Sequence, residues 1–299
     1  MPEPKASSLP INPNDIVAAA LNEHGFLLQQ VVRNKLGGWI TDSPNTQGED
    51  KWKDLWHFVA AEYPVTAADG SQTRIDLLLR HKHHLGVHIC MECKRPNPKF
   101  KKWIFFDRES NVAGMQDWQM TVETLFVGER PADPQGVRRS LVRLPYIQDV
   151  SLFAYYVEAG VKRDGSSSST EAIEKAFYQL MKGHSGLMAK LVSSNDNKFL
   201  RSIPLVVTTA ELVEAKFDPK QVSIENGMIA AADLQLAPMD WCAVNYRADD
   251  NLALPGLTPQ ERSVGLNDLI NSQIRTVFVV RALAINKFLN WASCLLNSA

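Results

Sequence analysis

Asp76, Glu92 and Lys94 stand out because each charge lies in sequence that otherwise reads as buried strand. Residues 73–80 run Thr-Arg-Ile-Asp-Leu-Leu-Leu-Arg, and residues 87–94 run Val-His-Ile-Cys-Met-Glu-Cys-Lys. Burying two acids and an ammonium is costly unless those charges bind something. Carboxylates from two neighbouring strands offer hard oxygen ligands suited to Mg²⁺ or Mn²⁺ with several waters retained. An ammonium beside them can orient a water and a phosphate. Phosphodiester hydrolysis needs that set: an attacking water, neutralised phosphate charge and support for the leaving oxygen.

The elements around these residues are readable from pattern. Side chains alternate along a strand, so Glu92 and Lys94 share one face while Met91 and Cys93 take the other. A strand is expected over residues 57–65, joined by a turn at Ala68-Asp-Gly-Ser71 to the Asp76 strand. A second turn near residues 83–86 leads to the Glu92 strand and completes a three-strand meander. Upstream, Asn14 N-caps a helix running to about Lys35, with Ile16, Ala20, Leu27 and Val31 as its apolar stripe and Glu23 inside it. Residues 38–54 read as loop and residues 95–145 as an insertion of short irregular elements. A strand is expected over 150–161, followed by a flexible Ser-rich loop ending in a capping box, Ser168-x-x-Glu171. A helix over 170–192 then precedes a β-branched run, residues 203–210, of the kind found in a central strand. Residues 211–255 are turn-rich, and a strand at 276–280 comes before a closing helix.

This order of elements, with Asp76 and Glu92-Cys93-Lys94 on successive strands, resembles the PD-(D/E)XK nuclease superfamily. Residues 203–212 also look like the matching segment of its uncharacterised bacterial members. The resemblance covers residues 12–210, and Ile75 stands where the motif's name places proline. It implies an α/β (α+β) fold with a restriction-endonuclease-like core: a central mixed sheet built as helix, meander, helix and further strand. An insertion would occupy about 95–165, and residues 211–299 would form an extension packing on the core as one structural domain. It further implies a Mg²⁺- or Mn²⁺-dependent endonuclease acting on DNA that leaves a 5′-phosphate and a 3′-hydroxyl. Asp76 and Glu92 would hold the metal and Lys94 would position or activate the water. By the same resemblance, Glu23 becomes a further metal-associated acid, Glu62 a catalytic carboxylate and Gln179 an orienting polar residue. Many such enzymes act as homodimers, and the C-terminal region could supply that interface. A catalytically inert module binding nucleic acid or protein is the alternative.

Each of these residues also has a plain structural role open to it. Glu-x-Lys often marks a solvated edge strand, Glu23 could snorkel from the border of its stripe, and Gln179 could flank its helix. Cys90 and Cys93 face opposite sides of a strand, which removes them as a chelating pair and leaves two small buried hydrophobes. His81, His83, His84 and His88 read as a solvated hairpin tip, a phosphate contact or, less readily, a transition-metal site. Lys94, Arg95, Lys99, Lys101 and Lys102 form a basic run leaving the acids, followed by Trp103, Phe105 and Phe106. Cations of this kind contact phosphates and aromatics can stack on unpaired bases. Arg138, Arg139 and Arg143 could extend the same groove.

Composition sets outer bounds. A chain of 299 residues, 45% hydrophobic and 22% charged, is that of an ordinary globular protein. Its net charge of -1 argues against coating nucleic acid by bulk positive charge, though not against a local basic patch. No apolar run approaches the roughly 18–20 residues that span a bilayer. Four cysteines do not suggest a disulfide framework, and the first residues lack an apolar signal core, so a cytoplasmic location is expected. The residues do not distinguish DNA from RNA, single from double strand, or endonuclease from exonuclease.

Overall fold

The computed structural model describes residues 14–15, 17–18, 21, 26–37, 51–67, 69–96, 100–106, 120–127, 137–144, 150–162, 165–194, 199–247 and 274–293. Asn14, Asp15, Val17, Ala18 and Leu21 are helical, and helix α1 follows at Phe26–Gly37. Its buried face is Leu28, Gln29, Val32 and Leu36, one residue on from the expected stripe; Leu27 and Val31 are exposed. Both stripes are apolar, so periodicity alone picked the wrong side. Residues 38–50 lie outside the described residues, and a one-turn helix α2 (Trp52–Leu55) occupies the end of the segment expected as loop.

The meander forms as expected: β1 (Trp56–Thr66), β2 (Gln72–His81) and β3 (Val87–Lys94), each antiparallel to the next. The segment expected as an irregular insertion instead holds strands β4 (Lys102–Phe106), β5 (Met120–Val127) and β6 (Val137–Leu144). Residues 150–161 split between β7 (Leu152–Phe153) and β8 (Tyr155–Lys162), and the Ser-rich loop is strand β9 (Gly165–Ser169). Serines satisfy a ladder as readily as a loop when a neighbouring strand is present, and β8 supplies it. Helix α3 (Glu171–Ser194) then leads to β10 (Phe199–Thr208) and β11 (Glu211–Lys216). Strands β12 (Gln235–Met239), β13 (Trp241–Arg247) and β14 (Ile274–Arg281) precede helix α4 (Ile285–Ala292).

Among the described residues the main sheet has nine strands, in the order β1-β2-β3-β10-β14-β13-β7, with β5 joined to β10 and β6 to β5. It is mixed: β10 runs parallel to β3 and β14, and β13 antiparallel to β14. The protein is thus α/β with few helices. The C-terminal segment, expected to pack on the core, contributes two strands of this sheet. A second sheet of five strands has the order β12-β11-β4-β8-β9.

Two cores lie on opposite faces of the main sheet. Leu77, Leu79, Ile89, Met91, Cys93, Leu205 and Val207 pack with α1 and α4 on one side. Leu78, Cys90 and Val206 face α3 and the second sheet on the other, with Trp103, Phe105 and Phe177 fully buried there. Each such aromatic or aliphatic side chain contributes about 1.5–3 kcal/mol on burial. Parity along β3 therefore puts Glu92 and Lys94 on the α3 side, with Cys90.

Helix α3 is anchored differently from the expected capping box. The Glu158 carboxylate on β8, 1% exposed, accepts the Ala172 and Ile173 N–H groups at 2.6 and 2.9 Å, while Ser169 Oγ takes Glu171 N–H at 3.1 Å. An acid at a helix N-terminus meets both the orphan donors and the dipole. Glycines let the helix lie close: a Cβ on Gly186 would stand 2.8 Å from the Thr66 carbonyl oxygen. The helix thus runs directly over β1 and β2, and Lys182 pairs with Asp69 in their turn at 3.4 Å.

Candidate functional site

The β2–β3 ladder has four Cα pairs, from Arg80↔His88 to Leu77↔Met91. Just past that last pair, the Asp76 carboxylate takes the Cys93 backbone N–H at 2.8 Å through Oδ2. One strand's acid is thereby fixed against the other strand's backbone, beside Glu92 and Lys94. Ile75 and Leu77 are two apart, yet Ile75 belongs to the α3-side core and Leu77 to the opposite one. Strand β2 therefore turns over between them, at Asp76.

The partner strand is distorted at the same level. Pairs Ala61↔Leu77 and Tyr63↔Ile75 bracket Glu62 against Asp76, and Glu62 has φ 52°, in the left-handed region. For a side chain other than glycine that conformation costs on the order of 1–3 kcal/mol and tends to mark functional positions. Gln29, buried on α1, donates to Glu62 Oε1 at 2.6 Å and to the Asp76 carbonyl at 3.0 Å. Arg74 lies 3.5 Å from the other Glu62 oxygen. On the far side, Lys94 Nζ donates to Gln179 Oε1 on α3 at 3.2 Å.

Electrostatics bind the cluster together. Burial raises Asp76 to about 6, assisted by the Glu62 charge and opposed by the Cys93 hydrogen bond and by Lys94. Glu92, 8% exposed, is raised to about 8 by burial and by Asp76, with Lys94 opposing. Two carboxylates this close cannot both ionise cheaply. Among the described residues the Glu92 side chain has no hydrogen bond or ion pair of its own. The Cys93 and Cys90 thiols are raised by burial, Cys90 to about 12, so neither offers a thiolate.

Of the sequence-predicted residues, the structure brings together Asp76, Glu92, Lys94, Glu62 and Gln179. Glu23 and Lys99 lie outside the described residues. Arg95 is partly buried just past β3, while Lys101 and Lys102 are exposed at β4, Lys102 lying 3.9 Å from Glu211. The proposed base-stacking platform fails for two of its three aromatics: Trp103 and Phe105 are core, and Phe106 stacks on Tyr155 with centroids 5.5 Å apart. Arg138, Arg139 and Arg143 fall on β6, whose side chains lie outside the described residues. Gln29 was not singled out from sequence, although it shares the spacing of Val32 and Leu36 and so stands as a lone amide in an apolar stripe.

The His group divides: His83 and His84 are exposed on the turn, as a solvated tip would be, while His81 and His88 are buried. His81 is buried, edge-on to Trp56 with centroids 5.1 Å apart, and its Nδ1 accepts the His83 and His84 N–H groups at 3.2 and 3.0 Å. Its pKa falls to about 4 through burial and the neighbouring imidazoles. Burial lowers buried His88 to about 4 as well, and its Nδ1 lies 3.3 Å from the Gly86 carbonyl. These imidazoles hold the turn as neutral rings.

Among the described residues no three His, Cys, Asp or Glu side chains form a group that could hold a metal ion. What the site offers is two hard carboxylates, Glu92 buried and Asp76 partly so, short of positive charge. That donor set fits Mg²⁺, which commonly binds through one or two carboxylates and keeps its other positions for water and phosphate. No family model, no curated protein and no solved structure matches the chain. No described helix is long and apolar enough to cross a membrane.

Proposed function

We propose that the protein is a metal-dependent nuclease with a restriction-endonuclease-like core, cutting DNA at the end of the β2–β3 ladder. The observation that carries this reading is the meeting of Asp76, Glu92 and Lys94, where burial lifts both acids, Asp76 further raises Glu92 and Glu62 further raises Asp76, without a direct counter-ion. The order α1, β1–β3, α3 and β10, with β10 parallel to β3, supports the resemblance.

Asp76 and Glu92 would hold a Mg²⁺ or Mn²⁺ ion. Once bound, that ion supplies the missing positive charge, polarises the scissile phosphate and acidifies a coordinated water. The remaining work belongs to the chain. Asp76 is locked by the Cys93 N–H, so one oxygen is committed to the backbone and the other is free to ligate. Lys94 is steered by Gln179 instead of collapsing onto either acid, which keeps its ammonium available to a phosphate oxygen and to the attacking water. Glu62 adds negative charge on the opposite strand, where it can accept a proton from water. Exposed Lys101 and Lys102 could offer sequence-independent phosphate contacts.

The test is cleavage of supercoiled plasmid and of linear single-stranded DNA with Mg²⁺ or Mn²⁺, comparing the wild type with Asp76→Ala and Lys94→Ala. Metal-dependent cleavage lost in both variants supports the reading. Equal activity in all three proteins, or none from a folded wild type with either metal, overturns it and favours an inert binding module.

A further inference from the structure

We infer that Gln29 is a positioning residue of the acid site, holding the Glu62 carboxylate toward Asp76 and Glu92 and so setting how tightly that pair takes a divalent cation. The inference rests on the metal reading above and assigns a role to a residue that reading leaves out.

Three observations carry it. Gln29 is 4% exposed on the core face of α1, among Leu28, Val32 and Leu36, where an amide is costly to bury unless its hydrogen bonds are made. Its Nε2 donates twice, to the Asp76 backbone carbonyl at 3.0 Å and to Glu62 Oε1 at 2.6 Å. An amide nitrogen has two N–H groups, and both are spent here. The bond to Asp76 anchors the amide on β2, leaving the second N–H aimed at β1. Finally, Glu62 receives it from a left-handed backbone, φ 52°, at the point where the β1–β2 pairing skips a residue on each strand. A single side chain from the opposite layer thus ties both distorted strands together at the acids. A packing role alone would call for an apolar residue in that stripe.

The chemistry follows. Glu62 is half-exposed, and without Gln29 only exposed Arg74, 3.5 Å from its other oxygen, would hold it. Held by Gln29, its charge stays beside the acid pair, where it would favour a bound divalent cation. Partners of this kind, one step removed from the ligands, typically govern about 10–100-fold in metal affinity.

Mn²⁺ binding measured by calorimetry on the intact chain tests this without relying on turnover, using wild type, Asp76→Ala, Gln29→Leu, Glu62→Gln and the Gln29→Leu/Glu62→Gln double variant. Expected is a loss of about 10-fold or more in both Gln29→Leu and Glu62→Gln. The double variant should lose little beyond Glu62→Gln, because Gln29 acts through Glu62. Wild-type affinity in Gln29→Leu, or losses that simply add in the double variant, overturns the assignment while leaving the metal site standing. Should Gln29→Leu fail to fold, Glu62→Gln decides, and unchanged Mn²⁺ affinity there overturns the assignment. Wild-type binding that survives Asp76→Ala removes the metal reading itself, and the role of Gln29 with it.

Discussion

The two ends of the β2–β3 ladder hold buried titratable groups of opposite character. At the Arg80/His88 end, His81 meets two backbone N–H groups and His88 a backbone carbonyl, so each ring is satisfied as a neutral group. At the Leu77/Met91 end, the Glu92 carboxyl has no hydrogen-bond partner among the described residues and the Asp76 carboxylate takes one backbone N–H, with Glu62 adding a third negative charge. Both ends pay for burial, but only the acid end is left wanting a ligand. A titratable group whose needs the backbone meets reads as architecture; one left beside like charges reads as a site.

The comparison breaks most visibly under substitution of either end. Asp76→Ala and Lys94→Ala should each lower metal-dependent DNA cleavage by about 10²–10⁴-fold, the range associated with a positioned acid–base group. Gln179→Ala, which only releases Lys94, should cost about 10-fold, measured in the same assay. His83→Ala/His84→Ala at the exposed turn should leave cleavage within about 2-fold. A loss there matching that of Asp76→Ala would make the turn a second site and erase the contrast.

Stability against pH sharpens the same contrast, because the ends act with opposite sign. The folded-state pKa values of Asp76 and Glu92 lie above their unfolded values of 3.8 and 4.5. The folded protein therefore binds more protons in this range, and their contribution is present in acid and lost as pH rises toward about 8. His81 and His88 are depressed from 6.5 to about 4, so the unfolded chain binds more protons there, and their contribution is lost as pH falls from 6.5 toward 4. Metal-free protein should accordingly unfold most readily at both extremes, followed by denaturant titration in EDTA. Glu92→Gln should raise stability at pH 8 by about 1 kcal/mol or more, since each pKa unit corresponds to about 1.4 kcal/mol. Added Mg²⁺ should produce the same recovery in the wild type and little in the variant. His81→Asn should reduce the acidic limb, leaving the share that His88 contributes, and should not change the alkaline one.

How much of this could be read beforehand follows from what each signal depends on. Alternation along residues 87–94 is local, and it placed Glu92 and Lys94 together and set Cys90 and Cys93 apart. The β-branched run over residues 203–210 needed no partner to identify it, and most of it lies in β10, the strand beside β3. The stripe of α1 was misread because Leu27 and Val31 repeat as regularly as Leu28, Val32 and Leu36; only the sheet decides which face is covered. Strand β4 was not legible because it lies beside β11, more than a hundred residues later, and β9 was not because a run of serines carries no strand pattern until β8 pairs with it. Trp103 and Phe105 followed a basic run and looked available to bases; the second sheet buries them. The turn-over of β2 at Asp76 and the left-handed Glu62 come from pairing between two strands, and no single segment announces them.

One measurement bears most directly on the acid end as a metal site: anomalous scattering from crystals soaked in Mn²⁺. A manganese peak is expected bonded to carboxylate oxygens of both Asp76 and Glu92, on the side of the sheet that carries Lys94 and α3. A peak seated on the imidazoles of the turn, or no manganese at Asp76 and Glu92 in crystals that diffract well enough to show it, would contradict it.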